Sequence, residues 1–156
     1  MRGVRRLMKT VLTILLLLVP LENALAGDAD RLIVTFDSRD TKTYQVFSMQ
    51  RSEAKNLPIW IPGSTEPPLS VGEAVKASEK WLGKGNESLQ LETIYLAKKS
   101  SGGINDVWFY NLFYSNSPVN MSDPLKGQTI IMLMDGRVLE SEIMTEKEFE
   151  NLLMQQ

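Results

Sequence analysis

The chain reads as an α+β protein in which one main helix packs on an antiparallel β-sheet meander, with an N-terminal β-hairpin before it and a short C-terminal helix after it. Three observations predict this. Residues 71–82 place apolar or small side chains at three- and four-residue steps behind a capping box, the mark of an amphipathic helix. Several segments rich in β-branched and aromatic residues are joined by polar loops of hairpin length. The chain closes on a second capping box, Thr145 with Glu148.

Residues 1–26 have the pattern of a secretion signal. Arg2, Arg5, Arg6 and Lys9 make a charged start, Val11 to Val19 is apolar, and Pro20 ends the run. Ala24-Leu25-Ala26 then supplies the small-x-small site of a signal peptidase. Cleavage is expected after Ala26. A run this short falls below the roughly 20 apolar residues that span a bilayer, so no membrane span is expected after cleavage, and the product is expected in the periplasm or outside the cell. Before Gly27 lie four of the 17 basic and one of the 19 acidic residues, so the remainder carries 13 and 18, a net charge of −5. That balance argues against nucleic acid as a partner, because phosphate recognition needs a cationic face.

Residues 27–56 read as a β-hairpin, with strands at 31–36 and 42–49 around the polar Asp37-Ser38-Arg39-Asp40-Thr41. Residues 57–68 hold four prolines in a dozen positions, which excludes regular helix and leaves a linker or an ordered extended loop. Residues 69–156 form the main α+β unit. Ser70 caps its helix with Glu73 three residues on, Leu69 and Ala74 can staple the cap, and Gly83 and Gly85 end it. Val71, Ala74, Val75, Ser78, Trp81 and Leu82 make the face expected to be buried.

Strand 89–97 follows, then a Gly-rich loop at 98–106. Val107 to Tyr114 is aromatic on both faces and is therefore expected to be an inner strand. After a long polar loop at 115–127, strands 129–134 and 137–143 flank Asp135-Gly136, a pair favoured in type I′ turns. Met144 and Phe149 staple the last helix, whose Phe149, Leu152 and Leu153 should dock on the domain. Sequential strands of this kind form an antiparallel meander. The sheet face opposite the helix is left to solvent, to the N-terminal hairpin or to a partner.

The segment from 69 to 143 resembles a PepSY-type domain, the module of peptidase propeptides and of free-standing exported proteins. The likeness lies in the helix LSVGEAVKASEKWLGKG, the strand VWFYNLFY and the strand–turn–strand TIIMLMDGRVLES. It differs in carrying an aromatic on nearly every position of the second of these. The resemblance implies a cystatin-like helix-on-sheet fold and a binding or peptidase-inhibiting role, and it transfers no catalytic residues.

The chain has no Cys and no His, so disulfides, thiol or imidazole nucleophile chemistry and the usual zinc sites are excluded. No cofactor motif and no calcium loop of the D-x-[DN]-x-[DN]-G form occurs. Glu140, Glu142, Glu146, Glu148 and Glu150 read as solvated and capping charges rather than a catalytic pair. Asp28, Asp30, Asp37 and Asp40 read as solubilising acids. Lys98 to Gly103 lacks the order of a phosphate loop. The triplets at Asn86 and Asn120 matter only in a glycosylating pathway.

Three aromatic residues remain as binding candidates. Trp60 sits between prolines on a stiffened segment, where it either anchors a partner or tucks back onto the core. Trp108 and Tyr110 share one strand face, expected to pack under Trp81 with a concave binding face behind. The expectation is a non-enzymatic exported binding module with a protein partner such as a peptidase. The alternatives are a carrier of a small apolar ligand on the sheet face opposite the helix, and a carboxylate-dependent hydrolase.

Overall fold

Alternating side chains and well-placed turn residues organise the described residues into seven strands and three helices. A computed structural model describes residues 30–38, 42–83, 88–116 and 127–156. The signal-like segment with its cleavage after Ala26, Asp28, Asp40, Gly85, Asn86 and Asn120 lie outside the described residues. The elements are β1 (Arg31–Ser38), β2 (Thr43–Gln50), α1 (Arg51–Ala54), α2 (Val71–Leu82), β3 (Gln90–Lys99), β4 (Val107–Ser115), β5 (Gly127–Leu133), β6 (Val138–Leu139), β7 (Ser141–Thr145) and α3 (Glu146–Leu153). The protein is α+β, with two antiparallel sheets of order β1-β2-β7 and β3-β4-β5-β6.

The sheets pack face to face. Leu32, Val34, Phe47 and Met49 of the first meet Val107, Phe109, Ile131 and Leu133 of the second, and Ala54 and Leu57 join the same cluster. The meander face opposite the main helix is thus covered by the N-terminal hairpin. Residues 57–68 run directly from that core, and Arg31–Gln156 is one compact unit. On the far face of the second sheet, α2 sits over Tyr110, Leu112, Tyr114, Ile130 and Met132. On the far face of the first, Phe149 and Leu152 of α3 cover Ile33 and Val46. The result is four layers, helix, sheet, sheet, helix, with β4 buried on both faces as its aromatic density predicts.

Three local expectations change. The stretch expected as one strand, 137–143, breaks at Glu140: β6 pairs with β5 at Ile131↔Leu139 and Met132↔Val138, then β7 crosses to pair with β2 from Phe47↔Ser141 to Thr43↔Thr145. A strand that changes sheets in this way makes the corner of a sandwich. The β5–β6 turn is not type I′, which needs positive φ at both central residues. Only Gly136 is left-handed (φ 84), and its N–H donates to Leu133 O, giving a three-residue loop closed by glycine. Finally, the buried line of α2 is Ala74 and Ser78, whereas Val71 and Trp81 are exposed, Trp81 at 48%. Small residues four apart let the helix axis approach the sheet, which pushes the larger side chains to the flank and the helix end.

Both capping boxes form. Ser70 Oγ accepts from the Glu73 N–H while the Glu73 carboxylate accepts from the Ser70 N–H, and Thr145 and Glu148 do the same for α3.

Candidate functional site

The Pro-rich segment is an ordered loop. Pro62 and Gly63 (φ 84) occupy the central positions of a turn in which the Ser64 N–H donates to Ile61 O at 3.1 Å, the residue pattern of a type II turn. Trp60 Nε1 donates to Thr65 O at 2.9 Å and closes the loop from below. The Trp60 ring meets Trp108 edge to face with centroids 5.1 Å apart. Lys98 Nζ lies 5.6 Å from the Trp108 ring centroid and pairs with Asp106 at 2.8 Å. Asp106 also accepts from Ser100 Oγ, and these two hydrogen bonds, Lys98 first, hold its carboxyl below the usual carboxylate range.

The structure therefore brings Trp60 and Trp108 together, both half-buried. Trp108 packs under Trp60, not under Trp81. Tyr110, two residues along the same strand face, is buried, and its hydroxyl donates to Leu69 O at 3.0 Å, tying β4 to the start of α2. With Trp60 turned inward, the outward side chains of the loop are Ile59 and Ile61, 68% and 65% exposed.

A second region was not singled out from sequence. Between the sheets, at the end where β1 finishes and β3 begins, a cleft of about 330 Å³ is lined by Thr35, Asp37, Thr93, Tyr95, Asn111 and Thr129, with Phe47 and Phe113 among its walls. It exists because each strand changes character at the same level. On β4 the inward alternation runs Val107, Phe109, then Asn111, and on β5 it runs Leu133, Ile131, then Thr129. A bulge between Ile33 and Thr35 adds a polar position on β1. Asn111 Nδ2 donates to the Tyr95 hydroxyl at 2.6 Å. Burial, and then the charge of Asp37, push the Tyr95 phenol above its ordinary value. The signal available in the sequence was one amide, Asn111, inside an otherwise aromatic strand. A Cβ on Gly127 would overlap the Phe113 ring, so glycine lets that ring lie across the cleft floor.

A smaller crevice of about 240 Å³ opens where β6 stops, beside Trp81, Val138, Glu140 and Ser141. Gln45 lines it, with Nε2 donating to Ser141 Oγ at 2.7 Å and Oε1 buried without a hydrogen-bond partner among the described residues.

The acidic residues near the C-terminus are dispersed: Glu142 pairs with Arg31 at 2.9 Å and Glu148 belongs to the α3 cap. Among the described residues no three His, Cys, Asp or Glu side chains gather as a metal-binding group, and no helix is long and apolar enough to cross a membrane. No family model, curated protein or solved structure matches the chain.

Proposed function

We propose that the chain is an exported, non-catalytic binding module that engages a protein partner, a peptidase among the candidates, through the loop from Pro58 to Thr65. One observation carries this reading: Ile59 and Ile61 stand in solvent on a loop braced by a turn hydrogen bond, the Trp60–Thr65 hydrogen bond and the Trp60–Trp108 contact. Exposed β-branched residues on a pre-ordered loop lose little conformational freedom on docking, which is what an interface anchor requires. Export rests on the signal-like pattern of residues 1–26.

The PepSY-type, cystatin-like reading of residues 69–143 belongs to the same proposal. It is supported by a capped helix followed directly by the meander on whose face that helix lies. The covering of the other face by β1 and β2 is a feature added to that pattern. Among the described residues it leaves no open apolar sheet face of the kind a carrier of small apolar ligands would use, so the protein-binding reading is preferred.

Full-length protein carrying Ile59→Asp and Ile61→Asp is expected to lose at least about tenfold in affinity for a partner recovered from the extracytoplasmic fraction. A control at the exposed Val71 should retain binding. Equal binding by all three proteins would sink the assignment of the loop, and a partner peptidase whose activity is unaltered by saturating protein would remove the inhibitory role.

A further inference from the structure

The cleft between the sheets is built of hydrogen-bonding groups whose protein partners are few. Asn111 is 8% exposed, and with Nδ2 committed to Tyr95 its Oδ1 accepts no hydrogen bond among the described residues. The hydroxyls of Thr35, Thr93 and Thr129 likewise have no partner there. Among the described residues Asp37 is the one charged side chain in the lining, no Lys or Arg contributes, and Asp37 forms no ion pair. Phe47 and Phe113 add aromatic surface beside these acceptors.

We propose that this cleft binds a small protonated amine, with Asp37 balancing its charge, Asn111 Oδ1 and the threonine hydroxyls accepting its N–H groups, and the phenylalanine rings covering its apolar part. Each half of the chemistry points the same way. A carboxylate with no cationic partner among the described residues and acceptor oxygens around it repels anions and favours a donor-rich cation. Aromatic rings attract the same charge through their faces. A purely apolar ligand would strip water from the hydroxyls and return no hydrogen bonds. The volume lies at the lower end of the range for small-molecule sites, which sets the ligand size. Burial first, and then the charge of Asp37, push the Tyr95 phenol up, in keeping with a carboxylate that faces the cleft.

A matched trio of probes tests this on full-length protein: 2-phenylethylamine, 2-phenylethanol and phenylacetate, followed by NMR through the Asn111 side-chain amide and the Thr129 amide. The amine is expected to shift both resonances saturably, to bind at least about tenfold tighter than the alcohol, and to weaken as salt is added. Phenylacetate should leave both resonances unmoved. Asp37→Asn, an exposed substitution that leaves the core intact, should reduce the amine to the affinity of the alcohol. Asn111→Leu should weaken both, with its melting curve reporting whether the fold survives. Amine and alcohol of equal affinity would overturn the cationic ligand, and no saturable shift at Asn111 up to about 50 mM amine would overturn the site itself.

Discussion

Two buried polar side chains show how single residues decide stability here. The Tyr114 hydroxyl and Ser78 Oγ are 2.6 Å apart across the α2–β4 contact, and Ser78 also donates to Val75 O. Gln45 is 7% exposed and holds one unpaired oxygen. A made hydrogen bond contributes about 1 kcal/mol, whereas an unmade buried acceptor costs about 1–3 kcal/mol. Tyr114→Phe is therefore expected to lower the unfolding free energy by about 1 kcal/mol, and Gln45→Met to leave it unchanged or raise it. Urea unfolding reads both. Gln45→Met also removes the Nε2–Ser141 hydrogen bond, so a loss as large as that of Tyr114→Phe would show that relieving the orphaned oxygen does not offset it. Of the two, Ser78 was visible in sequence as a small residue on the helix's apolar face. The isolation of Gln45 was not, because it depends on where β6 ends and β7 begins.

Helices and turns record how far local chemistry reaches. The capping boxes at Ser70/Glu73 and Thr145/Glu148 were legible because every interacting group lies within four residues. The sheet switch at Glu140 was not, because residues 137–145 contain no glycine or proline to mark the break. The turn at Gly136 was placed but given the wrong class, since the same dipeptide serves loops of two and three residues. The caps also set an acid response. Hydrogen bonds from Ser70, its side chain first, hold the Glu73 carboxyl below its ordinary value, and those from Thr145, its backbone N–H first, do so for Glu148. A carboxylate with a lowered folded-state pKa stabilises fully above its unfolded value, and that contribution is lost as pH falls through the folded one. The Glu73→Gln, Glu148→Gln double variant is therefore expected to melt below the wild type at neutral pH. The gap should close as pH drops beneath the ordinary carboxylate range. A gap that stays constant down to about pH 2 would show that ionisation of the caps is immaterial.

At the scale of the molecule, the two sheets enclose a layer that is apolar at one end and polar at the other, and this division positions the cleft. The sequence showed the alternation that builds each strand. It could not show that the polar positions of β1, β3, β4 and β5 fall at one level, because that alignment is set by register between strands distant in the chain. Neighbouring positions on β5 test the division. Ile131 and Thr129 point to the same side of the strand, the first fully buried against Val107 and Phe109, the second at the cleft. Ile131→Thr would place a hydroxyl where no partner exists and remove packing volume, an expected loss of about 2–4 kcal/mol. Thr129→Val, nearly the same change in reverse, should stay within about 0.5 kcal/mol of the wild type, because its side chain meets the open cleft rather than a packed core. Comparable losses at both positions in thermal unfolding would mean that the intersheet layer is packed uniformly along its length. The cleft would then have no separate wall for a ligand to meet.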